Sequence, residues 1–206
     1  MSASATRSTL SGRSDFAAIA KWIKPHAQVL DLGCGDGSLL RHLRQARGVT
    51  GYGIEIEDAR VLACVRNGVN VLQRDLEAGL SEFESESFDY VILSQTLQAV
   101  RHTERIIREM LRVGREGIVT FPNFGYWRHR LQILAGRMPV SKGLPYEWYD
   151  TPNIHLFTIR DFETYSRNHG VRILERLVMN EAKPVNVLPN LLGSLAVFRF
   201  DADSRA

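Results

Sequence analysis

Apolar residues along this chain fall into short strand-like runs separated by stretches with helical spacing. Runs at 29–32, 49–56, 69–73, 88–93 and 117–122 read as strands, the fourth of the buried parallel kind. Helices are predicted over 15–23, 38–44, 57–67 and 103–113, and another opens at 159 and stops at His169-Gly170. Two last strands, 171–178 and 195–200, follow with no helix between them. Alternating strands and helices predict an α/β, Rossmann-like, doubly wound sheet that is mostly parallel, with helices on both faces. The closing pair predicts one reversed strand in a seven-stranded sheet.

The densest chemistry lies where the first strand meets its helix. Residues 29–37 read Val-Leu-Asp-Leu-Gly-Cys-Gly-Asp-Gly, which places Asp31 two residues before an alternation of Gly33, Gly35 and Gly37. Glycine permits positive φ and lets a ligand approach the backbone closely. A dinucleotide fingerprint would need glycine at 38, where the chain has Ser38. An acid in this turn suits a cationic ligand better than an anionic pyrophosphate. The pattern resembles motif I of S-adenosylmethionine-dependent methyltransferases, and the predicted sheet is then of the class I methyltransferase type. That resemblance implies that Asp31 faces the amino-acid part of the cofactor and that the glycine loop passes close beneath it.

Glu55, at the end of the second strand, lies where a ribose-binding acid is expected. Asp75 and Leu76, after the third, fit by resemblance the residues that accept from the adenine amino group and pack on its ring. Glu55 or Asp75 alone would read as a solvated carboxylate, but three acids after three successive strands favour a shared site. The candidate cofactor set is Asp31, Gly33, Gly35, Asp36, Gly37, Glu55, Asp75, Leu76 and Ser94, the last at the end of the fourth strand. No metal site is read, and no catalytic residue is assigned.

At 206 residues the chain suffices for one domain with a sizeable core, expected over 15–200. Residues 1–14 are expected to be a disordered lead-in without a signal-peptide core, and 201–206 a tail. No apolar run is long enough for a bilayer. The two cysteines, Cys34 and Cys64, read as free thiols of a reducing cytoplasm. Arg101, Arg105, Arg108, Arg112 and Arg115 stack on one helical face, yet the net charge is only +3 and interspersed glutamates offer them partners. Nucleic acid is therefore not an expected partner. After the fourth strand, no Asn-Pro-Pro-Tyr run or Pro-Cys pair points to DNA-base methylation.

An insert over 123–157 concentrates Phe124, Tyr126, Trp127, Trp148, Tyr149 and Phe157 beside arginines and histidines. Such a surface reads either as a binding face or as a lid over the sheet edge. Tyr126, His129, Tyr149 and His155 are its acid–base candidates. The runs 121–130 (Phe-Pro-Asn-Phe-Gly-Tyr-Trp-Arg-His-Arg), 136–139 (Gly-Arg-Met-Pro) and 144–155 (Leu-Pro-Tyr-Glu-Trp-Tyr-Asp-Thr-Pro-Asn-Ile-His) resemble the bacterial methionine-biosynthesis MetW family. That resemblance implies a cytoplasmic partner of MetX, the homoserine O-acyltransferase, with an S-adenosylmethionine site. The chain has no Gly-x-Ser-x-Gly elbow, so any acyl-transfer nucleophile is expected on another chain. The alternative reading is an S-adenosylmethionine-dependent methyltransferase acting on a small molecule.

Overall fold

The computed structural model describes residues 15–203. In chain order it contains α1 (Asp15–Trp22), β1 (Gln28–Leu32), α2 (Ser38–Arg47), β2 (Thr50–Glu55), α3 (Asp58–Arg66), β3 (Val71–Gln73) and β4 (Phe88–Ser94). These are followed by α4 (Thr103–Val113), β5 (Gly114–Pro122), α5 (Trp127–Leu134), α6 (Ile159–Asn168), β6 (Val171–Asn180), β7 (Lys183–Pro184), α7 (Pro189–Leu192) and β8 (Leu195–Ala202). The strands form one sheet ordered β3-β2-β1-β4-β5-β8-β6-β7. β1 to β5 run parallel, and β8 lies antiparallel between β5 and β6.

The predicted α/β class therefore holds, with eight strands in place of seven. The extra one, β7, is a two-residue ribbon against the end of β6. Lys-Pro is too short and too polar to leave a periodic signal. One boundary differs from expectation. β8 continues to Ala202, inside the expected tail, where Arg172 holds Asp201 through two hydrogen bonds of 2.8 and 2.5 Å. The insert contains one helix, α5. The expected lead-in, 1–14, lies outside the described residues.

Alternation along the central strands explains the layers. On β4, Tyr90 and Ile92 pack with Phe16, Ile19, Leu39, Leu40, Leu43 and Cys64 from α1, α2 and α3. Val91 and Leu93 point the other way, onto Ile106, Ile107 and Met110 of α4 and Phe162 of α6. Both faces of the parallel strands are thus covered, which is why their apolar runs are nearly continuous.

The arginine face of α4 is engaged by its own chain. Arg105 and Arg112 donate to backbone carbonyls of residues 77–83, and Arg108 and Arg112 pair with Glu104 and Glu109. No helix among the described residues is long and apolar enough to cross a membrane.

The strand order reverses between β1 and β4, because the chain winds outward through β2 and β3 before returning. Ligands of open α/β sheets bind outside the carboxyl ends of the strands at such a point.

Candidate functional site

The glycine loop is anchored from behind, which leaves its front open. Gly33 and Cys34 N–H groups both donate to the Ile54 carbonyl at 2.8 and 3.0 Å. Gly35 N–H donates to Glu55 Oε2 at 2.9 Å, and the Cys64 thiol donates to the Gly35 carbonyl at 3.1 Å. Gly33, Gly35 and Gly37 have φ of 67°, 60° and 75°, the left-handed region that glycine enters without steric cost. A side chain at Gly35 would meet no atom within 4 Å, so that position faces open space. Asp36 turns its Oδ1 to the Ser38 N–H at 3.0 Å and the Ser38 hydroxyl at 2.6 Å, at the start of α2.

The end of β4 forms the neighbouring wall. Ser94 Oγ donates to Asp15 Oδ2 at 3.2 Å and lies 3.1 Å from the Thr120 hydroxyl. Gln95 adopts φ 53°, a left-handed conformation that costs a non-glycine residue of order 1 kcal/mol and is typically kept at functional turns. Its N–H donates to both the carbonyl and the hydroxyl of Thr120, which holds the turn in place.

The insert supplies the third wall through a chain of buried polar contacts. Fully buried Asn123 donates to the Asn190 and Gly193 carbonyls and accepts from the Gly125 and Ile159 N–H groups. Its carbonyl faces His129 Nδ1 at 3.1 Å, and His129 Nε2 lies 3.0 Å from the Ser141 hydroxyl. A carbonyl only accepts, so Nδ1 carries the hydrogen and Nε2 accepts from Ser141. Burial lowers the His129 pKa against the opposing Asn123 bond, which favours this neutral tautomer. Ser141 then pairs with Leu144 and sets the turn that carries Lys142 and Gly143.

These walls enclose a cavity of about 310 Å³. Of the predicted cofactor residues, Asp31, Gly33, Gly35, Asp36 and Ser94 line it together, while Gly37, Glu55, Asp75 and Leu76 do not. Gly37 faces Val69 and Cys64, where a side chain would meet atoms 3.0–3.1 Å away. Glu55 Oε1 accepts from Ile56 and Glu57 N–H groups, so both oxygens of this buried carboxylate hold backbone. Asp75 accepts from Glu77 N–H at 2.9 Å and caps the short 3₁₀ turn 76–78, whose partly buried Leu76 packs against the core.

Sequence reasoning did not single out Gln98, Lys142, Tyr146 and Asn153, which also line the cavity. Nothing local marks them; they meet the glycine loop through tertiary packing. Conversely, none of Tyr126, His129, Tyr149 and His155 lines it. Cys34 does, yet burial first and the Asp31 charge second push its thiol far above the ordinary range, so it stays protonated and non-nucleophilic.

The sequence profile of the family described as methionine biosynthesis protein MetW matches residues 13–200. The chain belongs to the MetW family. It is 36% identical over 206 aligned residues to the bifunctional methionine biosynthesis protein MetXA/MetW of Rhodopirellula baltica. That alignment covers 93% of this chain and 33% of the relative, so the chain spans about a third of that protein's length. Among solved structures, an S-adenosylmethionine-dependent methyltransferase from Mesorhizobium loti superposes with a TM-score of 0.69 at 16% identity, covering 93% of this chain and 99% of that one. A methyltransferase from Thermotoga maritima, described as a possible histamine N-methyltransferase, gives 0.65 at 18% identity over 97% and 94%. At these identities the likeness establishes the class I methyltransferase fold for this MetW-family chain.

Proposed function

We propose that this chain holds S-adenosylmethionine in the cavity between β1, β4 and the insert, and acts as an accessory, regulatory subunit of a homoserine O-acyltransferase of the MetX kind. The observation that carries the first half is the convergence of Asp31, Asp36, open-faced Gly35 and Ser94 on one cavity. Two carboxylates there offer charge complementarity to a sulfonium and an ammonium. When bound, the cofactor would supply an electrophilic methyl group. Asp31 and the loop backbone would hold its amino-acid end, and Glu55 would act on the ribose by keeping the loop in place.

The second half is supported by the bifunctional relative, whose name joins MetXA to MetW, and by the absence of a nucleophile elbow. The cavity's construction supports a regulatory role. One wall is the insert, whose Trp148 and Tyr149 are 72% and 71% exposed, so the segment that touches a ligand also presents aromatic surface outward. If cofactor changes affinity for MetX, MetX must change affinity for cofactor by the same factor. Calorimetric titration of S-adenosylmethionine with and without MetX tests this, and equal dissociation constants would reject the regulatory reading. In a co-purification with MetX, an acylation rate that does not depend on this chain would reject the accessory role.

Methyl transfer to a small molecule is the second reading, favoured by the insert's closure over the cavity. It predicts that S-adenosylhomocysteine accumulates when the protein is given cofactor and cell extract.

A further inference from the structure

We propose that the exposed face of α5, with the turn at 187–192 beside it, is the docking surface for an acyltransferase of the MetX kind. The inference goes beyond the cavity and rests on the reading of this chain as a MetX partner. Trp127, Leu131 and Leu134 recur at the spacing of one helical face, and all three are exposed, Leu134 by 81%. Ile133 and Met138 extend the apolar surface past them. His129 alone on this helix is buried, so α5 turns to solvent the kind of stripe that helices pack inward. Scattered apolar residues are ordinary on a surface, but a contiguous stripe marks a face for a partner.

The neighbouring turn adds a second observation. Leu188 has φ 43° and ψ 53°, a left-handed conformation rare for a bulky side chain. It is also 61% exposed, so burial within the chain offsets little of that strain. Strained residues of this sort gather where a molecule binds or switches. Val187 and Leu192 are exposed beside it. The turn abuts the entry to α5. Asn123 donates to the Asn190 and Gly193 carbonyls, and a side chain at Gly125 would meet the Asn190 carbonyl oxygen at 2.8 Å.

Charge chooses among occupants. From Asn123 to Tyr146 the chain carries Arg128, Arg130, Arg137 and Lys142, all exposed, and no aspartate or glutamate. A second copy docking the same face about a two-fold axis would set these cations against one another. A different protein, with an apolar groove rimmed by carboxylates, meets both the stripe and the charge. Tryptophan, methionine and arginine are also the residues that such interfaces favour. This chain aligns with 33% of the bifunctional relative, whose name joins MetXA to MetW, so the occupant is an enzyme of the MetX kind. His129 links the face to the cavity. It is the buried foot of α5 and holds Ser141, which sets the turn carrying the cavity residue Lys142.

The test is the affinity between the full chain and the MetX enzyme of the same organism, read by biolayer interferometry at low and high salt. The variants are Leu134→Glu, on the apolar stripe, and Arg128→Glu, on its rim. Val65→Glu is the control, an exposed apolar position on α3, which packs beside β3 at the far edge of the sheet. All three positions are exposed, so thermal melts of the variants should match the wild type. Sedimentation of the chain alone, and binding to vesicles of phosphatidylcholine and phosphatidylserine, report the other occupants.

Leu134→Glu should weaken binding by about tenfold or more, because a carboxylate enters an apolar contact. Arg128→Glu should weaken it too and flatten its decline with salt, while Val65→Glu keeps the wild-type affinity. Equal affinity in all four proteins, or the same loss in all three variants, overturns the surface and leaves the MetX reading intact. If the wild type does not bind MetX at all, that reading fails and the docking surface falls with it. A dimer of the chain, or vesicle binding, that Leu134→Glu abolishes would give the face to a second copy or to lipid and overturn the proposal.

Discussion

Glu55 ties three backbone N–H groups into one knot, from Gly35, Ile56 and Glu57. Glu55→Gln would turn an amide N–H₂ toward donors it cannot accept from. That leaves at least one buried N–H unmatched and costs about 1–3 kcal/mol. A lower denaturation midpoint in urea, together with weaker cofactor binding, is the expected result. Gly35→Ala separates conformation from space: the new methyl meets nothing, but φ 60° strains it, so the expected stability loss is about 1–2 kcal/mol. The same methyl would intrude where the ligand approaches, so affinity should fall by more than stability does.

His129 gives a pH dependence of definite sign. Its pKa is lowered on folding, so below about pH 6.5 the unfolded chain binds a proton that the folded chain refuses. Stability from this group is intact above about 6.5 and declines as pH falls toward the depressed folded value. Thermal melts at about pH 7 and 5.5 should differ less in His129→Asn than in the wild type.

At the scale of elements, α6 begins where the insert returns to the sheet, and a capping box marks the place. Thr158 accepts from Asp161 N–H at 3.3 Å, and Asp161 accepts from Thr158 N–H at 2.9 Å. Since Ile159 and Phe162 behind the cap are buried, fraying there would loosen core contacts. Thr158→Ala should destabilise by about 1 kcal/mol in chemical denaturation.

Two arginines one turn apart on α4 make a contrasting pair. Arg112 donates to the Leu80 and Phe83 carbonyls as well as to Glu109, whereas among the described residues Arg108 pairs only with exposed Glu104. Arg112→Met should therefore cost about 1–3 kcal/mol and Arg108→Met less than about 0.5 kcal/mol in the same assay. Helical spacing placed both on one face in the sequence, but it carried no sign of which one clamps a distant loop.

For the whole molecule, a cofactor bound only by the folded chain must stabilise it by mass action. At a hundredfold excess over the dissociation constant the gain is about 2.7 kcal/mol, or roughly 5–10 °C in the melting midpoint for a chain of this size. A midpoint that stays put at high S-adenosylmethionine would argue against the proposed site. The same melt on Lys142→Met reports whether the insert wall contributes to that gain.

The order of elements, the parallel sheet and the glycine loop were legible in the chain because each depends on local rules. Residue alternation sets a strand, and short-range spacing sets a helix or a left-handed turn. Such rules say which side chains share an element and not which elements converge. The aim of Glu55, whose partner Gly35 lies on another element, was therefore hidden, as was the solvent-side capping role of Asp75. That Gln98 and Lys142 line one cavity with Asp31 was decided only when buried Asn123 and His129 drew the insert onto the sheet edge. A cavity is made of long-range contacts, and packing alone chooses among them.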